Sequence, residues 1–579
     1  MARILFIAAD SPLIRWLAQG LTGSQGVEAC RFLELQPRWE PGKAARQAAA
    51  LAQRESLETL LICPRPGRRL RFRPTAEQTG AVCSQAAQSG LRQAVLLSSS
   101  AIYPPSHHHP GHVGEAHRLR RAENALSKGW RCIEEAFGAP LQAGSIAPTV
   151  VRACPVASPQ EGSFLNRLIS RRLALTAAGF DPSIQLLHAE DLLAALLRAI
   201  ERRAEGVYNV APQGVIPLRK ALKLTGSRRL ALPYSLQRAL RSLLAPLGLC
   251  AHPSHLECLR YPNTACGERI ERELGFKPRF DSRQAVESLP GRKPRLRPQE
   301  CNFDKFGMDR DYIQAYGRTL FRFLHRAYWR IEEEGLEHIP SRGRAVLVGV
   351  HRGFMPWDAV MLLHSIVQQT GRYPRFLIHP SLVKFPGLAN YMTKLGGILA
   401  SQENADWVLQ RDKIVGVYPE GIRGAFTMYR DAYKLGSFGR NDFVRIALRN
   451  RAPLIPVVTV GSAEIYPILG RIDWRWWKRF SEWPFLPLTP TFPWIPLPLP
   501  SKWHTRFLAP IQVQEEFPPQ AAEDPEVVQE ISQRVQNCFK KTFEQMLKAR
   551  RSIFYGSIFE QAEQEGIGDV EAVATRRAH

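Results

Sequence analysis

Short, continuous apolar runs set off by Gly, Pro or Ser mark the first half of the chain. Ile4–Ala8 reads as a first buried strand, with Leu57–Cys63 and Gln93–Ser99 as later ones. Runs this short, apolar on both faces, are what a parallel sheet covered by helices requires. Helical patterns lie between them, and this rhythm predicts an α/β fold with a doubly wound parallel sheet over 1–290. The pattern breaks at Gly291–Pro298, a basic, proline-interrupted stretch that predicts a linker over 291–302. From Phe303 it resumes in another form. Aromatic and basic residues at helical spacing run from Tyr312 to Ile331, and buried strands are expected at Ala345–Val350, Ile414–Tyr418 and Leu454–Val460. Asp524 and Pro525 supply a helix start, after which Val528, Ile531, Val535, Phe539, Phe543 and Met546 trace one apolar helical face. A second α/β unit is expected over 303–550, followed by a C-terminal tail over 551–579.

Composition narrows the setting. With 579 residues, 45% hydrophobic and 23% charged, the chain has the balance of a folded protein of two or three domains. Its ten cysteines are scattered singly, which suits reduced thiols rather than disulfides or a zinc site, so no metal is expected. The N-terminus enters a strand without the charged start and apolar stretch of a signal peptide. No apolar run approaches the roughly 18 residues of a spanning helix. These features predict a cytoplasmic protein, free or peripheral on the cytoplasmic face of a membrane. The net charge of +25, from 78 Lys+Arg against 53 Asp+Glu, attracts polyanions such as lipid headgroups, coenzyme A or acidic carrier proteins. No zinc finger or set of RNA-stacking aromatics accompanies it, so nucleic acid is not an expected partner.

Four blocks in the first half carry a resemblance. Leu96-Leu-Ser-Ser-Ser-Ala-Ile-Tyr103 comes first, then Leu187-His-Ala-Glu-Asp-Leu-Leu193, Gly206-Val-Tyr-Asn-Val-Ala211 and Glu273-Leu-Gly-Phe-Lys-Pro278. In that order they resemble the extended short-chain dehydrogenase and NAD-dependent epimerase family, which implies a Rossmann-like fold. The chemistry does not carry over. The family's glycine fingerprint falls on Ala8, Ser11 and Ile14, where glycines would serve a tight turn, close approach to pyrophosphate and helix–sheet packing. The β-branched Ile14 fills the space the third glycine leaves open. The family's Tyr-x-x-x-Lys pair falls on Glu115 and Leu119, and only Ser100 matches its catalytic hydroxyl. A fold kept without NAD(P) binding is the expectation; an active site rearranged around NAD(P) is the alternative. His107, His108 and His109, with His112 and His117, are candidate metal ligands. Their proline-flanked segment holds no cysteine and only Glu115 as a carboxylate, so a solvated loop is expected.

The chemistry-bearing residues lie in the second half. Val348-Gly-Val-His-Arg-Gly-Phe-Met-Pro-Trp-Asp358 ends a strand and begins a helix, with Pro356 suited to its first turn. Asp358 then lies where the helix dipole favours an ionised carboxylate. Gly353 lets the loop bend, so that Asp358 can fix the tautomer of His351 and support it when it takes a proton. This is two-thirds of a catalytic triad, with a substrate hydroxyl in place of the serine. Val417-Tyr-Pro-Glu-Gly-Ile-Arg-Gly424 follows, and Arg423 can offer a planar fork of donors to a phosphate. Glu420 is expected to orient that arginine or the local backbone.

These blocks, with Ala452-Pro-Leu-Ile-Pro-Val-Val458 and Leu395-Gly-Gly-Ile398, resemble the glycerophospholipid acyltransferase superfamily over about 303–550. The family has His-x4-Asp where this chain places six residues between His351 and Asp358, Asn where it has Val350, and Phe where it has Tyr418. The glycine block also lacks the usual neighbouring arginine. The longer spacing resembles the branch that includes monoacylglycerol and diacylglycerol acyltransferase-like enzymes. The resemblance implies His351 and Asp358 as catalytic residues and Glu420, Gly421 and Arg423 as substrate-binding ones. It implies an acyl thioester (acyl-CoA or acyl carrier protein) as donor, a glycerolipid hydroxyl as acceptor, and no further cofactor.

Six of the twelve tryptophans fall between Trp474 and Trp503, interleaved with Arg, Lys and Pro. Indoles beside cations suit the headgroup boundary of an anionic membrane, while the prolines exclude a spanning helix. Besides acyl transfer to lysophosphatidic acid or another lysophospholipid, three functions stay open: acylation of mono- or diacylglycerol, a bifunctional enzyme with an active NAD(P)-dependent half, and a non-enzymatic lipid-binding scaffold.

Overall fold

The structure is a computed structural model that describes residues 2–35, 40–64, 72–117, 124–142, 146–158, 163–240, 253–289, 303–439, 441–495 and 497–559. The expected linker, Leu119 and the tail from 560 onward lie outside the described residues. The chain divides into two compact units, Met1–Gly307 and Met308–His579. Residues 303–307, expected to open the second unit, belong to the first. The Lys220 ammonium sits 4.1 Å from the Phe303 ring, Lys305 pairs with Glu268 at 3.1 Å, and Phe306 packs edge-on against His112.

In the first unit, strands β1 (Ala2–Ala8), β2 (Val27–Glu34), β3 (Thr59–Cys63), β4 (Gln93–Ser99), β5 (Ala147–Ala153) and β6 (Gly206–Val210) form one parallel sheet. Their order is β2-β1-β3-β4-β5-β6, so the chain crosses from one side of β1 to the other after β2. The strand expected from Leu57 begins at Thr59 because the Leu57 N–H is taken by Ala52 O at 2.9 Å, in the closing turn of the preceding helix. Alternation along β1 sends Ile4, Phe6 and Ala8 to one face and Leu5 and Ile7 to the other. Helices α1 (Pro12–Thr22) and α5 (Ala189–Glu201) cover the first face. Helices α2 (Pro41–Arg54), α3 (Phe72–Ala86) and α4 (Ala125–Gln142) cover the second. This is the doubly wound layering that the apolar runs demand.

The second unit holds β7 (Glu332–Glu334), β8 (Ala345–Gly349), β9 (Arg375–Ile378), β10 (Ile398–Leu399), β11 (Ile414–Val417), β12 (Leu454–Val460) and β13 (His504–Phe507). They form one sheet in the order β7-β13-β12-β8-β11-β9-β10, parallel throughout except for the antiparallel β12–β13 pair. Every residue of β8, β11 and β12 is buried. Helix α10 (Pro525–Ala549) starts where Asp524 accepts the Glu526 N–H at 2.9 Å, and its apolar face from Val528 to Met546 is buried. The expected helix over Tyr312–Ile331 is less regular. It is α-helical over Arg310–Tyr316 and then turns π-helical over Gly317–Phe321 and Leu324–Tyr328, with the Thr319 hydroxyl donating to Ala315 O at 2.9 Å. A side chain that competes for a backbone carbonyl in this way loosens the regular ladder. The C-terminal ends of β8, β11 and β12 lie at one edge of the sheet, where parallel α/β folds place their sites.

Candidate active site

Beyond β8 the chain turns through His351 into α6 (Trp357–Thr370). Gly353 makes that turn with φ +89°, and a Cβ there would meet Ser462 O at 2.9 Å, so no other residue fits. Pro356, expected in the first helical turn, stands one place earlier as the N-cap. Asp358 lies in the first turn, its side chain almost fully buried. One of its oxygens accepts the Ala359 N–H at 2.7 Å, and the other lies 2.6 Å from His351 Nδ1. With Nδ1–H donated to the carboxylate, the lone pair of His351 is left on Nε2.

The next residue is the one the sequence reading missed. The Arg352 side chain is 1% exposed, and its guanidinium is paired bidentately with Glu420, Nη2 lying 3.1 Å from Oε1. It also donates to His351 O at 2.9 Å and to Lys434 O at 3.0 Å, while Glu420 Oε1 accepts the Gly436 N–H at 2.5 Å. This buried pair lashes the β8–α6 loop to the loop after β11 and holds the His351 backbone in place. Glu420 was expected to contact substrate and orient Arg423 or the local backbone. Its carboxylate turns inward and orients the local backbone through Gly436 and Arg352 rather than Arg423, and Arg352 has no other acidic partner among the described residues. Gly424 permits this closeness: a Cβ there would meet Glu420 Cβ at 2.8 Å and His351 O at 3.3 Å. Gly421 and Arg423 lie exposed on α7 (Gly421–Ala425), and the Arg423 guanidinium has no hydrogen-bond or ionic partner among the described residues.

His351 borders an apolar cavity of about 270 Å³, walled by Phe376, Tyr418, Ile422 and Trp483 and by Phe443 and Ile446 of α8 (Asp442–Arg449), among others. Tyr418 stands where the family's phenylalanine was expected, its ring 5.2 Å from that of His351 and stacked on Phe376. Its hydroxyl is buried without a hydrogen-bond partner. Burial, and then the charge of Asp358, push that hydroxyl well above the ordinary phenol range. It therefore remains a neutral donor beside the dyad. The aromatic exchange was visible in the sequence, but nothing there marked the hydroxyl as buried beside the dyad without a partner.

The Acyltransferase family profile matches residues 330–460, which contain His351, Asp358 and the Glu420–Arg423 run. An uncharacterized protein of Mycobacterium tuberculosis is 33% identical over 282 residues, 48% of this chain and 78% of that protein. The chain belongs to the Acyltransferase family. A Bos taurus protein named DGAT1/2-independent enzyme synthesizing storage lipids is 28% identical to the acyltransferase over 171 residues, 29% of this chain and 51% of that one. The NAD dependent epimerase/dehydratase family matches residues 72–211 of the first unit. Among solved structures, a UDP-glucuronic acid 4-epimerase from Bacillus cereus in complex with NAD is 12% identical, with a TM-score of 0.36 over 50% of this chain and 97% of that chain.

In the epimerase-like unit of the acyltransferase, the three altered glycine positions are filled by structure. Ala8 is buried at the end of β1, Ser11 caps α1 by accepting the Ile14 N–H at 3.2 Å, and Ile14 is built into the core. Asp10 beside the cap pairs with Arg15, Nε to Oδ1 at 2.7 Å. Glu115 accepts the Asn209 N–H at 2.8 Å, and burial raises its carboxyl above the usual range. Tyr103 donates to Asn209 Oδ1 at 2.9 Å and accepts from Arg152 at 2.8 Å, and burial pushes its hydroxyl up to about 12. Arg152 in turn pairs with Glu134 at 2.7 Å. These polar groups spend themselves on one another. Ser100 is fully buried after β4.

The histidine segment, expected to be a solvated loop, is solvated at His108 and packed at two of its five histidines. His109 and His112 are buried, and burial lowers His109 to about 3. The physical reason is long-range pairing: Val113 bridges to Ala265, and Phe306 covers His112. His112 comes within 4.8 Å of Cys266 and Glu268, a grouping no local spacing could reveal. Lys305 already neutralises Glu268, and burial raises the Cys266 thiol to about 11, so two of the three are held in forms a metal would have to displace. Among the described residues no helix is long and apolar enough to cross a membrane.

Proposed function

We propose that this acyltransferase moves a fatty acyl group from a thioester, of coenzyme A or acyl carrier protein, to a hydroxyl of a glycerolipid, with lysophosphatidic acid or another lysophospholipid as acceptor. The observation that carries the reading is the 2.6 Å His351–Asp358 contact, with His351 lining an apolar cavity. His351 Nε2 takes the proton of the acceptor hydroxyl as its oxygen bonds to the acyl carbonyl carbon. Asp358 stabilises the imidazolium that forms. The C–S bond then breaks, and the leaving thiolate recovers the proton from His351. No acyl-enzyme is formed, since the attacking oxygen belongs to the substrate. The neutral Tyr418 hydroxyl is the donor for the negative charge that builds on the carbonyl oxygen. Arg423, exposed and without an ionic partner among the described residues, favours an acceptor that carries a phosphate. NAD(P) has no part in this scheme, and no metal is required.

The name of the bovine relative, a storage-lipid enzyme, supports a second reading in which the acceptor is mono- or diacylglycerol. The two are separated by offering the purified protein an acyl thioester with lysophosphatidic acid, other lysophospholipids or monoacylglycerol. Arg423→Ala should raise KM for the phosphate-bearing acceptors about tenfold and leave monoacylglycerol unaffected. Preference for monoacylglycerol, unchanged by that substitution, would replace the first reading with the second. Acylation of none of them would remove both.

A further inference from the structure

The segment between β12 and β13 divides the clustered tryptophans into an inner and an outer set. A two-stranded hairpin, Gly470–Ile472 with Leu486–Leu488, encloses helix α9 (Arg475–Ser481). Trp483 is buried, and Trp477 is half-buried against it with ring centroids 5.6 Å apart. Trp474 at the N-cap of this helix and Trp476 and Phe480 on it are exposed, Trp476 at 63% and stacked on Phe480 at 5.7 Å. Leu469 and Ile472 before the helix, and Trp494, Ile495 and Leu497 after it, are exposed as well, Trp494 at 83%. Side chains of this size left in water together mark a surface with a partner.

The charges around them say which partner. Arg471, Arg475, Lys478 and Arg479 are all exposed among these aromatics, and Asp473 is the one acidic residue from Gly470 to Ser481. Asp473 lies 2.7 Å from Lys478 and 3.6 Å from Arg471, which leaves the surface basic. A protein partner of ordinary composition would not reward indoles and cations interleaved this densely. The boundary of an anionic bilayer does, because indole rings settle at headgroup depth while Lys and Arg reach the phosphates.

The inner side of the same element reaches the catalytic cavity. Trp483 lines it and touches Phe354, another lining residue, at 5.4 Å. Phe385 packs on Trp483 at 4.8 Å and on Phe480 at 6.3 Å, while Lys384 ties the helix end down through Glu482 at 2.6 Å. The neighbouring Ser381 and Leu382 also line the cavity. We propose that α9 and the exposed apolar residues flanking it seat the acyltransferase unit on an anionic lipid bilayer, with the His351 cavity one layer of aromatic side chains behind the lipid-facing surface. The acyl substrate then passes from bilayer to cavity along the Trp477–Trp483–Phe354 face without crossing water. The second statement rests on the acyltransferase reading; the first does not.

The test is co-sedimentation of the full chain with vesicles of phosphatidylglycerol and phosphatidylcholine, next to two surface variants. W476S/F480S should lower the partition constant about tenfold or more, and K478E/R479E should lower it comparably and mostly on the anionic vesicles. Both keep the inner aromatic set, and unchanged circular dichroism verifies their fold. W476S/F480S should also lose transfer to a vesicle-borne lysolipid in proportion to lost binding, while transfer between monomeric short-chain substrates stays within about twofold. Vesicle binding equal to the parent in both variants would overturn the docking surface, as would self-association without vesicle binding. A parent protein that binds vesicles but acylates no acceptor sinks the enzymatic reading and leaves the surface standing. One that acylates monomeric substrates but ignores vesicles does the reverse.

Discussion

Two α/β units of similar architecture end their central strands in opposite ways. After β8 and β11 the second unit turns into loops whose polar side chains converge on a cavity: His351 on Asp358, and Tyr418 beside both. After β1 and β4 the first unit turns into loops whose polar side chains converge on each other. Ser11 is consumed by the α1 cap, Asp10 by Arg15, and Tyr103 by Asn209 and Arg152. The central strands of both sheets are parallel and buried, so neither property produces the difference. What differs is that Ser11, Asp10 and Tyr103 are satisfied within the protein, whereas His351 is left lining a cavity. A fold therefore advertises where a site would be, and the hydrogen-bond inventory of that place says whether one is there.

The comparison can be pushed from both sides. The largest effect is expected from the dyad: Asp358→Asn should lower kcat by about a thousandfold or more with the fold intact, since the imidazole loses its tautomer and its counter-charge. Next comes the clamp. Arg352→Met strands a buried carboxylate, and the second unit should lose about 3 kcal/mol, read as a lower midpoint in urea. Activity should fall with it because His351 O loses its anchor. Arg352→Lys should recover little, since one ammonium cannot span both carboxylate oxygens and two carbonyls. Tyr418→Phe should be milder, lowering kcat about tenfold with KM nearly unchanged if its hydroxyl acts on the developing charge alone. An equal rise in KM and no change in kcat would make it a packing residue. The smallest effect belongs to the first unit: Tyr103→Phe should leave acyl transfer within about twofold, and calorimetric titration of the full chain with NAD or NADP should give no binding heat. Measurable NAD(P) affinity would break the contrast between the units.

How much of this could be read in advance follows from the range of the interactions. Gln93–Ser99 and Leu454–Val460 are strands from end to end as expected, because continuous apolar runs bounded by turn residues leave little alternative. The contact of His351 with Asp358 was legible for the same reason: both belong to one strand–loop–helix turn. The Arg352–Glu420 pair was not, since its members stand 68 residues apart and either charge alone reads as a solvated turn. Nor was the packing of His109 and His112, which depends on Ala265 and Phe306. The tryptophan cluster was visible as a composition, but its division into Trp483 inside and Trp476 outside depends on which helix face meets Phe385. Local chemistry was readable; partners brought together by the sheet were not.

The central claim is that His351 is the base of an acyl transfer, and the most direct measurement compares wild type with His351→Ala. Both proteins, verified as folded by thermal unfolding, are given an acyl thioester and lysophosphatidic acid, and release of thiol and appearance of the diacyl product are followed together. The account predicts equal release of thiol and formation of product by wild type, and a fall of at least about a thousandfold in both for the variant. Acyl transfer by His351→Ala at a rate near that of wild type would contradict it.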